Sequence, residues 1–535
     1  MSMTFLRTLL STILLSLSLL SLSCVVGSLG VPKGGRAVLV EKSSVASLTA
    51  TGRLVRIGTA DDFHLVTAPG PSLLRVDHLG NDLVSDDYFD ILMSHGYDAF
   101  KVYPLEGGRL LVIGVVDVMK DDDIQQVTYE AQVIDLAKKA SIATETIGTI
   151  DNDDDDLWNY VSVTISPEGS HALVTLWDYS DKEHLTIDGT LLDLATLSTT
   201  RRFTHVHSNP FTVSHPIFIG EERVVFVQSD FNKEITQLAL VNAGDSTPIA
   251  TIDRPKKMAN EIVNPFAFAS EHDSRGGTIV AVGMVDHDIH TKGLLLTRID
   301  EKGTTLTQIS AKEFPHMVAE RLIDHEDLIQ FLPMDIVESD AGTIHVIMEG
   351  HHSYREIFSD VRTGSRKTMK SERWPFLPSR HHEADGGLLG KKKLEYINLV
   401  SRGVVVVSYD ATGKELWEAG LAQYDEPAWD FSGKWNDWSQ FADRHWHGSH
   451  IGPGSLSMMR DGRLIVVYRA GGELRGVEFD PASGSRIDSY TLFETALSRR
   501  MLMSDAVWSD RRTILLPVQP YHNRIPFEIY KVRVN

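Results

Sequence analysis

A tight turn followed by a β-branched, apolar run recurs nine times along this chain, and no other feature limits its folding as strongly. The series begins Thr51-Gly-Arg-Leu-Val-Arg-Ile-Gly58, Glu106-Gly-Gly-Arg-Leu-Leu-Val-Ile-Gly114 and Ser166-Pro-Glu-Gly-Ser-His-Ala-Leu-Val-Thr-Leu176. It continues through Gly220-Glu-Glu-Arg-Val-Val-Phe-Val227, Arg275-Gly-Gly-Thr-Ile-Val-Ala-Val282 and Asp340-Ala-Gly-Thr-Ile-His-Val-Ile347. The last three are Arg402-Gly-Val-Val-Val-Val407, Arg460-Asp-Gly-Arg-Leu-Ile-Val-Val467 and Ser509-Asp-Arg-Arg-Thr-Ile-Leu-Leu516. Glycine supplies the positive φ of a short hairpin turn, and the run after it suits a buried strand. Counted at positions 52, 108, 169, 220, 277, 342, 403, 462 and 511, the spacings are 56, 61, 51, 57, 65, 61, 59 and 49. A unit of that length with several short strands matches one four-stranded blade plus its loops.

The expected fold class is therefore all-β, a β-propeller of seven to eight four-stranded blades. A toroid lets every sheet bury both faces against its neighbours. The competing reading, two or three unrelated β-sandwiches, lacks any Pro/Gly/Ser-rich linker to separate its domains. Nine markers suggest eight blades, the terminal strands sharing one, with seven left open. The one stretch with some helical spacing, residues 128–143, is interrupted by Val and Ile.

Ahead of the series, Arg7 precedes an apolar, Ser-rich run from Leu9 to Leu22 and then Ser23-Cys24-Val25-Val26-Gly27, which reads as a secretory signal over 1–27. Residues 28–50 read as an N-terminal extension and 51–535 as a single propeller domain. Losing the leader, whose only charge is Arg7, takes the net charge from −21 to −22. That acidic balance argues against a nucleic-acid partner or an anionic lipid surface. Cys24, the only cysteine, excludes an intramolecular disulfide and any multi-cysteine metal site. It has two readings: a residue discarded with the leader, or the lipid-bearing Cys of a degenerate lipobox and the chain's one route to a membrane.

Two turns share an Asp-x-x-Ser/Thr-Gly pattern, Asp360-Val-Arg-Thr-Gly364 and Asp480-Pro-Ala-Ser-Gly484, and a third has the shorter Asp-x-Thr-Gly form, Tyr409-Asp-Ala-Thr-Gly-Lys-Glu-Leu-Trp-Glu418. The last resembles the blade motif of the pyrroloquinoline-quinone-like propeller superfamily, which includes outer-membrane assembly lipoproteins. The resemblance implies that Asp410 and Thr412 cap the turn, with Gly413 in it, and that Trp417 docks between neighbouring blades. All four residues would then be structural. The quinone-dependent members place a vicinal disulfide beside the cofactor, which one cysteine cannot form, so no cofactor is expected.

Chemistry-bearing motifs are sparse. Nucleophile elbows, HExxH helices, phosphate loops and dinucleotide fingerprints are absent from the sequence. The acidic run Asp151-Asn152-Asp153-Asp154-Asp155-Asp156 lacks the sixth-position glycine of a calcium loop, leaving a calcium clip between blades or a solvated loop. The segment from Trp429 to His450, within an insertion over 422–455 that follows a strand ending near Leu421, is the exception. It holds Trp429, Trp435, Trp438 and Trp446, four of nine tryptophans, and with Trp374 and Phe376 of the 371–387 loop forms the expected binding surface. Rigid aromatic area of this kind stacks on sugars or grips peptides, or else covers the end of the fold. His445-x-His447-x-x-His450 has spacing that suits zinc and resembles the metallo-β-lactamase motif, but Ser449 stands where that family has Asp. His205, His207, His287, His290, His351, His352, His381 and His382 offer weaker pairs, the last two beside Glu383 and Asp385.

These features predict an exported, acidic propeller of the cell envelope or extracellular space that binds a protein or carbohydrate ligand without catalysis. The alternative is an extracellular, metal-assisted hydrolase or lyase acting on polysaccharide.

Overall fold

The computed structural model describes residues 37–45, 52–56, 63–70, 73–78, 85–87, 97, 99–105, 107–120, 123–151, 161–166, 168–178, 185–207, 216–228, 237–243, 248–253, 264–272, 277–285, 291–300, 305–313, 330–360, 365–369, 394–430, 455–470, 473–494, 499–501, 506–520 and 527–535. Antiparallel pairing organises them into eight sheets that follow one another along the chain, and no helix occurs among the described residues. Six are plain four-stranded meanders, spanning 52–87, 99–151, 161–207, 217–253, 264–313 and 455–494. The sixth in order, spanning 330–430, has an added short strand, and the eighth combines residues 499–534 with Ala37–Val45. Ala37–Val45, inside the segment read as an extension, pairs antiparallel with Phe527–Val534 from Ala37↔Val534 to Val45↔Phe527.

The strand His171–Asp178 shows why these runs are almost wholly apolar. Ala172, Val174 and Leu176 pack with the second sheet, around Leu111, Ile113 and Tyr129. Leu173 and Trp177 point the other way, onto Phe218 and Phe226 of the fourth sheet. A strand covered on both faces loses the polar alternation of a half-exposed one. The sixth sheet repeats the arrangement: Val405 and Val407 join Leu294 and Leu296 of the fifth, whereas Val404 and Val406 join Leu464 and Val466 of the seventh. Another shared core, with Ile465, Phe493, Ile514 and Tyr530, joins the seventh sheet to the eighth. The second to fourth sheets and the fifth to eighth sheets are thus stacked face to face in chain order.

Guanidinium groups staple the sheet seams. Arg109 of the second sheet donates to the Leu194 carbonyl of the third at 2.8 Å, and Arg201 of the third to Ala243 O of the fourth at 2.9 Å. Glu221, in the first turn of the fourth sheet, accepts from Ser166 Oγ at 2.6 Å, from Glu168 N at 2.9 Å and from Ser170 Oγ, all in the first turn of the third.

Three readings of the sequence need correction. Gly52 opens Gly52–Arg56, the edge strand of the first sheet, so it joins no hairpin with the strand before it, which pairs with Phe527–Val534 instead. Gly403 is not at a hairpin turn: it lies inside the strand Leu394–Tyr409, opposite Gly350 at a bulge, and shares its sheet with the marker at Gly342. A glycine before four valines reads the same whether it opens a turn or marks a bulge. The strand expected to stop near Leu421 continues to Asp430, because the preceding strand is long enough to pair with it, Leu399↔Trp429 and Asn398↔Asp430. The stretch 128–143 is strand, a four-residue turn and strand.

Candidate functional site

In a four-stranded meander the first and third turns lie at one end of the sheet, and the second turn and the exit to the next sheet lie at the other. Here the two ends differ in kind. The first- and third-turn ends carry brief connections such as 136–139, 194–197, 339–343, 410–414, 461–462 and 480–485. The exit ends carry the longest ones, including 152–160, 254–263, 314–329, 370–393 and 431–454, beside two-residue turns at 71–72, 121–122 and 471–472.

Side chains at the short-turn ends hold the fold together. Asp410 Oδ1 accepts from Thr412 N, Thr412 Oγ1 and Lys414 N at 2.8, 2.6 and 2.9 Å, and Gly413 takes φ 87°. Trp417 stacks on Phe479 of the seventh sheet at 5.6 Å between ring centroids, and its Nε1 donates to Pro481 O at 2.9 Å. The capping and docking that the resemblance implies are both present as geometry. The same device appears at Asp480 with Ser483, at Asp193 with Thr196 and at Asp135 with Lys138. Asp193 and Asp135 escaped the sequence pattern because Leu197 and Lys139, rather than glycine, occupy the left-handed position, at φ 52° and 51°. These hydrogen bonds hold all four carboxyls below the usual aspartate range: chiefly that from the Thr412 hydroxyl for Asp410, from Ser483 N for Asp480, from Thr196 N for Asp193 and from Lys138 for Asp135.

The recognition candidates connect to the exit ends instead. Trp429 belongs to the last strand of the sixth sheet, directly across from Leu399. Trp435, Trp438, Trp446, Trp374, Phe376, His445, His447 and His450 lie outside the described residues, as do positions 152–156 of the acidic run, His287, His290, His381, His382, Glu383 and Asp385. The backbone fixes where their segments depart. Strands of the sixth sheet run past the end of Gln330–Glu338, as Ile344–Asp360, Leu394–Tyr409 and Glu415–Asp430, with Ser365–Met369 along the outer part of Ile344–Asp360. Met369 sits beside Arg355, while Asp430 sits beside Asn398, which faces Tyr354. The 370–393 and 431–454 connections thus leave from neighbouring rungs of one ladder, three strand spacings or about 14 Å apart. Sequence reading had no access to this proximity, which comes from strand register alone.

Two histidines are accounted for by packing. His205 is buried and stacks on Phe226, with ring centroids 4.7 Å apart and planes at 21°. His345, buried in the sixth sheet, has its Nδ1 2.5 Å from Ser408 Oγ, and burial pulls its pKa down to about 4. His351 and His352 lie in the same strand as His345, opposite Ser401 and Val400. Among the described residues no group of three or more His, Cys, Asp or Glu is placed to hold a metal ion.

No protein-family model matches the sequence, and no curated protein sequence does. Among solved structures, the chain is similar to the Dos1 propeller (9% identity over 93% of this chain and 95% of that one, TM-score 0.39). It is also similar to the WD40 domain of SCAP from fission yeast (8% identity, 92% and 98% coverage, TM-score 0.37) and to the polysaccharide lyase Uly1 (9% identity, 93% and 100% coverage, TM-score 0.33).

Proposed function

We propose that this chain is an exported, ring-closed β-propeller that binds a protein or carbohydrate ligand as a recognition or scaffold module, using the face formed by its exit ends. The division between the ends carries the reading. Tight, capped turns occupy one end of the sheets, and the aromatic, histidine-rich and acidic segments join the other. Rigid sheets presenting long variable connections at one end are a common platform for recognition. Ring closure is supported by Ala37–Val45, which pairs on the outer side of the last sheet and leads through 46–51 directly into Gly52–Arg56 of the first. A link of that length reaches at most about 25 Å, which keeps the first sheet within reach of the last. Within this reading the leader exports the protein, and Cys24, if retained and acylated, anchors it.

The test is a tryptophan-fluorescence titration of the purified mature protein against soluble polysaccharides and peptides, repeated with Trp435, Trp438 and Trp446 all changed to Ala. Saturable quenching that disappears in the triple variant at unchanged melting temperature supports the reading. Equal binding by the variant refutes the assignment of the surface. Release of new reducing ends from any polysaccharide, lost on chelation, turns the function to a metal-assisted hydrolase or lyase.

A further inference from the structure

We infer that His345 is an acid-sensitive latch on the seam between the sixth and seventh sheets, so that protonation of its ring loosens the contact between the two sheets joined by the 431–454 connection. His345 is 0% exposed, and its Nδ1 meets Ser408 Oγ, leaving Nε2 buried without a hydrogen-bond partner. The imidazole lies 5.6 Å from the Trp417 ring, which closes the seam through Phe479 and the Pro481 carbonyl. Trp417 is on the strand Glu415–Asp430, which leads into 431–454, and Phe479 is in the sheet that this connection enters.

A proton on Nε2 finds no counter-charge here. On its own sheet, Val337 opposite and Ser408 beside it are uncharged, Glu338 is paired with Arg298 at 3.7 Å, and Glu415 and Glu418 are exposed. On the facing sheet, Glu478 pairs with Arg460 and Arg463 at 3.8 and 2.6 Å, Asp480 caps its own turn, and Phe479 presents a ring. An imidazolium confined among aromatic and aliphatic groups is disfavoured, so acid favours a state in which this seam opens and water reaches the ring. The device is separate from the ligand reading and needs no ligand for its test.

Hydrogen exchange of the full mature chain at pH 7.5 and 4.5, corrected for the chemical exchange rate, gives the measurement. Amides of 415–421 and 464–468 in wild type are expected to open about 50- to 100-fold more readily at pH 4.5, the factor that separates a ring titrating near 4 when closed from one titrating near 6.5 when open. Amides of 110–115 and 129–134 in the second sheet are expected to stay within about threefold, because that sheet carries no histidine. In His345→Asn, whose amide oxygen can accept from Ser408, the seam is expected to lose most of its pH response. Wild-type protection that is the same at both pH values, loosening of both regions together, or an undiminished response in the variant overturns the inference. The wild-type comparison decides the matter even if the variant does not fold.

Discussion

Replacing Gly484 with Ala probes the packing of one sheet on the next more directly than any other single change. Gly484 adopts φ +69°, and a Cβ built on it falls 2.6 Å from Cγ and 2.7 Å from Cε3 of Trp417. The left-handed backbone costs an alanine about 1 kcal/mol. Forcing the indole away adds overpacking of about 1–3 kcal/mol, for a total of roughly 2–4 kcal/mol. The two parts separate in a double-mutant cycle. With Trp417→Ala in place the collision vanishes and Gly484→Ala keeps only its backbone cost, so the cycle should show a coupling of about 1–3 kcal/mol. Denaturant unfolding at pH 7.5, followed by circular dichroism and fluorescence with coincident transitions, supplies all four free energies. An equal cost of Gly484→Ala in both backgrounds, or a cost below about 0.5 kcal/mol in wild type, would show that the indole does not sit against this turn.

Four further outcomes follow from the same geometry. Lys139→Gly is expected to raise the melting temperature slightly, by relieving about 0.5–1 kcal/mol of left-handed strain at an exposed site. Leu197→Gly, at nearly the same φ, is expected to lose about 2–4 kcal/mol, because Leu197 is packed in the core between the second and third sheets. Glu478→Gln should cost about 3 kcal/mol in denaturant unfolding by leaving the buried Arg460 guanidinium, which also reaches Val534 O of the eighth sheet, without its carboxylate. The capping aspartates should make stability acid-sensitive below pH 4. Their folded pKa values are depressed, so their contribution is present above the unfolded value and disappears as pH falls through the folded one. Asp410→Asn should lower stability at pH 7 and flatten part of that slope, measured between pH 5 and 2.

Local chemistry made much of the fold legible. Glycine at 108, 169, 220, 342 and 462 marks positive-φ positions as expected, and the apolar run after each is a strand buried on both faces. Asp410, Thr412 and Gly413 act within one turn, so ten residues of sequence sufficed to read them. Gly403 misled for the same reason: a bulge and a turn look alike when only neighbours along the chain are visible. The aspartates at 135 and 193 were missed because their turns tolerate Lys139 and Leu197 where glycine is the recognisable signal.

What the amino-acid order determined unaided is the repeating strand-and-turn unit, since turn conformation and strand pattern depend on residues a few positions apart. It also supplied the aromatic and histidine content of the candidate surface. Tertiary structure decided which sheet each strand joins, that Ala37–Val45 completes the last of them, that 370–393 and 431–454 depart from adjacent rungs, and that His345 sits against Trp417. Those facts depend on register and on the stacking of sheets between residues tens to hundreds of positions apart. No local propensity encodes such distances; they are set when each sheet buries its faces against the next.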